Sequence, residues 1–134
     1  STTNYNADFT GTGSTGGVWN CPKTGYYTMN LRARTSSPGA GSDDGNLVKS
    51  FISLERQPSG GSYTEIRESG ISASTLESGS DDIYVFCPGF TAIVYGEVND
   101  NFRARILLDQ RVSGDSRYVS PGIQNTYWEI HRIV

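Results

Sequence analysis

Short blocks of alternating apolar and polar residues, each closed by Gly, Pro, Asn or Asp, run through this 134-residue chain and leave it few ways to fold. The clearest block is Tyr26 to Thr35. There Tyr27, Met29, Leu31 and Ala33 share one face, while Tyr26, Thr28, Asn30, Arg32 and Arg34 share the other. Period two with one apolar side describes a half-buried antiparallel strand. Tyr5, Ala7 and Phe9 alternate in the same way, and Gly11 to Gly17 reads as a flexible link. Val18 to Cys21 is a short strand ended by Pro22, with Lys23-Thr24-Gly25 as the turn. Ser36 to Gly45 is a loop. Leu47 to Arg56 carries apolar residues on both faces and is expected to be covered on both sides. Gln57 to Ser62 is a Pro/Gly turn, followed by two short, polar edge strands, Tyr63 to Glu68 and Ile71 to Leu76. Ile83 to Cys87 and Phe90 to Val98 are apolar strands, and Asn99-Asp100-Asn101 is a tight hairpin turn into Phe102 to Leu108. Arg111 to Asn125 shows no regular pattern, and Thr126 to Val134 closes the chain as a strand. The sum is about eight to ten strands and no helix, which means a sandwich or barrel. No internal repeat supports a propeller or solenoid.

Composition narrows the class. Residues 1–134 make one domain's worth of chain, long enough to bury a core without disulfides or metals. A hydrophobic fraction of 35% is low for a monomer with a single core. The net charge of −3 argues against nucleic acid, since phosphate binding needs a positive face. No apolar run approaches a membrane-spanning length. The chain starts at Ser1 without an initiator Met, and is expected to be cut from a longer protein. Cys21 and Cys87 each end a strand-like run before a proline, and are either two buried thiols or one disulfide between strand ends.

Groups that carry chemistry are sparse. His131 is the lone imidazole, in the last strand, and Gly114-Asp115-Ser116 lacks the α/β setting a serine nucleophile of that type needs. Glu55, Glu65, Glu68, Glu77, Glu97 and Glu129 offer carboxylate pairs only as any strand surface does. Asp43-Asp44-Gly45-Asn46 and Asp81-Asp82 are oxygen-rich turns that match no calcium loop. The expectation is therefore a non-enzyme with no cofactor and no metal. Three arginine groups, Arg32 with Arg34, Arg103 with Arg105, and Arg111 with Arg117, are either solvated faces or contacts for a small anionic ligand. Tyr118 beside Arg117, and Tyr63, are candidate stacking surfaces for a sugar.

The string Val18-Trp19-Asn20-Cys21-Pro22-Lys23-Thr24-Gly25-Tyr26-Tyr27 resembles the segment V-F-x-x-P-x-x-G-x-Y of the tumour-necrosis-factor-like superfamily, which includes complement-type heads and viral knobs. Ile83 to Phe90 is similar to its strand–Gly turn–strand unit, with Phe90 where many members carry Asp. Asn125 to Val134 resembles its closing strand. The glycine-rich link and the closing wording look most like the tips of phage tail needles and fibres. The resemblance implies a jelly roll assembled as a homotrimer, its inner sheet lining the axis. Parity in the last strand then sends Trp128 and Ile130 into the core. Tyr127, Glu129 and His131 face a neighbouring subunit, joined by Ile93, Tyr95 and Glu97; the opposite parity would leave Trp128 on the interface. The expected function is a trimeric knob at a viral tail tip that attaches to a host-surface glycan or protein, or helps penetrate the cell envelope. The alternatives are a carbohydrate-binding module and a secreted cytokine- or complement-like ligand. No Asn-x-Ser/Thr acceptor occurs, which weighs against an animal secretory origin.

Overall fold

A computed structural model of the chain describes residues 3–5, 15–36, 47–72, 85–110, 118–119 and 126–133. Their regular elements are all strands: β1 (Thr3–Tyr5), β2 (Thr15–Asn20), β3 (Gly25–Arg32), β4 (Thr35–Ser36), β5 (Leu47–Gln57), β6 (Thr64–Ser72), β7 (Val85–Phe86), β8 (Gly89–Gly96), β9 (Asn101–Gln110), β10 (Tyr118–Val119) and β11 (Tyr127–Arg132). Three of the eleven, β4, β7 and β10, are two-residue segments, so the expected eight to ten strands correspond to the longer elements.

Two antiparallel four-stranded sheets, β1-β11-β3-β8 and β2-β9-β5-β6, form the layers, and β10-β4-β7 makes a small third sheet. Apart from β5 and β6, no two consecutive strands pair with each other. The chain otherwise crosses repeatedly between sheets, the winding of a jelly roll. This corrects the hairpin expected at Asn99-Asp100-Asn101: β8 belongs to the first sheet and β9 to the second, so the turn is a crossover. The hairpin lies instead at the Pro/Gly turn, where Gly61 N–H donates to Pro58 O at 2.8 Å and Gly60 takes φ 75°.

Between the layers, Tyr27, Met29, Leu31, Ala92, Trp128 and Ile130 of the first sheet meet Trp19, Ile52, Leu54, Phe102, Ala104 and Ile106 of the second. Alternation in β3 and β11 is obeyed residue by residue, with Trp128 and Ile130 inside. Of the two tyrosines after the turn at 23–25, Tyr27 fills the core and Tyr26 is exposed. Trp19 meets Tyr27 edge-on at 4.9 Å between ring centroids and lies 5.7 Å from Phe102.

Several boundaries differ from expectation. β2 starts at Thr15, inside the glycine-rich link, and Cys21 lies just past its end. The two polar edge strands are one continuous edge strand, β6. Gly70 does not break it because Phe51, its partner in β5, lies across it; a Cβ on Gly70 would sit 2.2 Å from Phe51 Cδ1. Thr35 and Ser36 pair as β4, so Ser36, the first residue of the expected loop, is in a strand. Cys21 is a buried free thiol, and Cys87 is free but exposed, which corrects both the disulfide and the pair of buried thiols. The two acidic turns at 43–46 and 81–82 lie outside the described residues.

Candidate functional site

Register in the first sheet gathers one set of side chains on the surface away from the core. Tyr26 stands opposite Tyr95, Thr28 lies between His131 and Ile93, Asn30 between Glu129 and Thr91, and Arg32 opposite Tyr127. Directly paired residues share a face, so these rows form a single surface. Tyr127, Glu129 and His131 are half-buried there by their neighbours. Ile93 is 69% exposed, Tyr26 51% and Tyr95 42%. These large apolar side chains are open on a sheet whose other side already fills the core, and together they make an apolar outer patch. The two tyrosine rings pack with centroids 5.3 Å apart, and Thr91 Oγ1 donates to Asn30 Oδ1 at 2.8 Å.

The apolar part concentrates at one end. Ile133 N–H donates to Tyr26 O at 2.8 Å, which brings Ile133 beside Tyr26, and Val98 follows β8 at the same end. Tyr26, Ile93, Tyr95, Val98 and Ile133 are thus five of the eight large hydrophobic residues exposed among the described ones. Glu97, expected within this face, stands one residue past β8, and its backbone belongs to the turn.

The arginines do not form one site. Arg32 lies on the face just described, and Arg34 follows β3 with its N–H donating to Thr126 Oγ1 at 3.2 Å. Arg103 and Arg105 are on the second sheet, where both reach the buried Glu55 carboxylate: Arg103 Nε to Oε2 at 2.5 Å and Arg105 Nη1 to Oε1 at 3.6 Å. The Arg103 guanidinium carbon also lies 3.7 Å from the centroid of the Tyr63 ring. The two cations share a single carboxylate, the closer contact being that of Arg103, and one face of the Tyr63 ring is occupied. Arg117 lies outside the described residues, and Tyr118 is described through its backbone pairing to Ser36. No cluster of three or more His, Cys, Asp or Glu able to hold a metal occurs among the described residues.

Asp100 is the functional group of the framework that sequence reasoning missed. Its carboxylate is buried, takes Arg56 Nη2 at 2.6 Å and Nε at 2.8 Å, and accepts Glu97 N–H at 2.8 Å and Ser59 N–H at 3.3 Å. Its own backbone oxygen accepts Cys21 N–H at 2.8 Å. One residue therefore ties together the turns at 21–24, 58–61 and 97–100. Burial alone would raise its carboxyl; the Glu97 N–H, the Arg56 guanidinium and the Ser59 N–H outweigh that and hold it below the ordinary value. Its only signal in the sequence was an Asn-Asp-Asn turn, which such residues make everywhere.

No protein-family model matches the chain, and no curated protein matches its sequence. Solved structures do match its fold. The structure of Eiger TNF from S. frugiperda aligns with a TM-score of 0.63 and 12% identity over 88% of this chain and 65% of that one. The murine APRIL crystal structure at pH 8.5 gives 0.57 and 10%, over 88% and 72%, and the one at pH 5.0 gives 0.59 and 12%, over 88% and 74%. At such identities the likeness is one of fold. The chain adopts a TNF-like jelly roll.

Proposed function

We propose that residues 1–134 form one homotrimeric binding head, packed through the outer face of the first sheet, that acts as a cytokine-like extracellular ligand rather than as an enzyme. The observation that carries this reading is the open apolar face of Tyr26, Ile93 and Tyr95 on a sheet whose inner side is already filled. Tyr127, Glu129 and His131 extend that face, with Glu97 at its rim. Burial between subunits supplies the apolar area that a 35% hydrophobic chain lacks on its own. The fold shared with Eiger TNF supports a secreted ligand whose partner is a cell-surface protein or glycan. Among the described residues no helix is long and apolar enough to cross a membrane. Without an Asn-x-Ser/Thr acceptor this head goes unglycosylated on asparagine. A viral fibre-tip setting rests on the wording of the glycine-rich link and the closing strand; it would use the same trimer, but the structural likenesses favour the ligand.

Light scattering at micromolar concentration tests the assembly. Three times the 14.6 kDa chain mass is expected, falling to one chain mass in Ile93→Lys. A monomeric wild-type chain overturns the reading, as does a trimer that Ile93→Lys, Tyr95→Glu and Tyr127→Glu all leave intact.

A further inference from the structure

A cavity of about 410 Å³ opens where β2 ends and β11 runs out. Trp19, Tyr27 and Ile130 line it from the core side, and Lys23 and Arg132 stand at its exposed rim. Among the described residues no side-chain carboxylate lines it. Arg56, Arg103 and Arg105 pair with carboxylates, whereas among the described residues no carboxylate pairs with Lys23 or Arg132. Two cations on one rim repel each other and attract a compensating anion, more strongly beside an apolar wall than in open water.

The rim is also held in place. Lys23 O accepts Tyr27 Oη–H at 2.5 Å and Cys21 Sγ–H at 3.2 Å. Arg132 Nη2 donates to Thr24 O at 3.2 Å, and Thr24 Oγ1 accepts Val98 N–H at 3.1 Å. The turn that carries Lys23 is thus fixed to the core, to β11 and to the 97–100 crossover. The Arg132 guanidinium keeps further N–H donors for a ligand. A volume of a few hundred Å³ is the size of a small-molecule site, and too small for a folded partner.

We propose that this cavity binds a small organic anion, an aliphatic or aromatic carboxylate whose apolar body lies against Trp19 and Ile130 and whose carboxylate sits between Lys23 and Arg132. The arginines paired to Glu55 and Asp100 are spent on the fold, so the anion contact shifts to this rim. The lining residues all belong to one chain, and one of them, Ile133, also stands at the apolar end of the outer face; the same titration on Ile93→Lys therefore tests the cavity apart from the trimer.

Hexanoate, its neutral counterpart hexanol and inorganic phosphate are suitable probes, titrated into the full chain at low salt and followed by amide and indole NMR shifts. Hexanoate is expected to move the Trp19 indole and the Lys23 and Arg132 amides, and to bind at least about tenfold more tightly than hexanol or phosphate. The double variant Lys23→Gln/Arg132→Gln, checked as folded by its amide spectrum, is expected to lose about tenfold in hexanoate affinity; Lys23→Arg should keep the affinity. Shifts centred elsewhere, or no hexanoate binding at millimolar concentration, overturn the proposal. So does equal binding of hexanol, equal binding of phosphate, or a folded double variant that binds as the wild type does.

Discussion

Asp100 ties together three of the described turns, at 21–24, 58–61 and 97–100. Its carboxylate holds Arg56, Glu97 and Ser59, and its carbonyl holds Cys21. Asp100→Asn keeps the shape but takes the charge from a buried, multiply bonded acceptor, and a loss of about 2 kcal/mol in unfolding free energy is expected by denaturant titration. The pH dependence follows from the lowered carboxyl. In acid the unfolded chain, with its carboxyl near 3.8, binds the proton before the folded one does. The stabilisation is therefore complete above the unfolded value and disappears as pH falls through the folded one. Stability measured from about pH 5 down to about pH 2.5 should fall more steeply in the wild type than in Asp100→Asn. Parallel slopes would show that Asp100 contributes no acid sensitivity.

Among the connecting elements, two four-residue turns share one geometry and differ in chemistry. In Pro58 to Gly61 the third residue is Gly60 at φ 75°, and in Glu97 to Asp100 it is Asn99 at φ 70°. Glycine reaches that region freely and asparagine tolerates it, whereas β-branched residues do not. Gly60→Val has no steric obstacle, since nothing lies within 4 Å of an added Cβ, so its expected cost of about 1–2 kcal/mol is backbone strain alone. Asn99→Gly should be neutral within about 0.5 kcal/mol, and Asn99→Val should cost what Gly60→Val does. Thermal unfolding of the three variants checks the comparison. Both turns were legible as turns from Pro, Gly, Asn and Asp. Which of them closes a hairpin and which crosses between sheets was not, because a turn sequence specifies local dihedrals and leaves the partner of the next strand open.

For the whole molecule, the sandwich is closed on the inside and open on one outside face, and the proposed trimer resolves that asymmetry. Stability then belongs to the assembly. The melting temperature should fall on serial dilution, and in Ile93→Lys it should be lower and independent of concentration. A dilution-independent wild-type transition would place all the stability within one chain.

Alternation by itself determined the inner and outer faces of β3, and in β11 it separated Trp128 and Ile130 from Tyr127, Glu129 and His131, because side-chain direction in a strand is set by the backbone period alone; the fold decided which β11 set lies inside. The fold likewise puts Ile93 and Tyr95 on the outer surface. Pairing across the fold decided the rest. Glu55 pairs with Arg103 and reaches Arg105 because β5 and β9 lie side by side, and Phe51 carries Gly70 through an unbroken strand because β5 and β6 are in register. Lys23 and Arg132 meet at one cavity although 108 residues separate Arg132 from the Thr24 carbonyl that holds it. Such contacts depend on which strands become neighbours, a choice made by burial of the whole core, which no local pattern encodes.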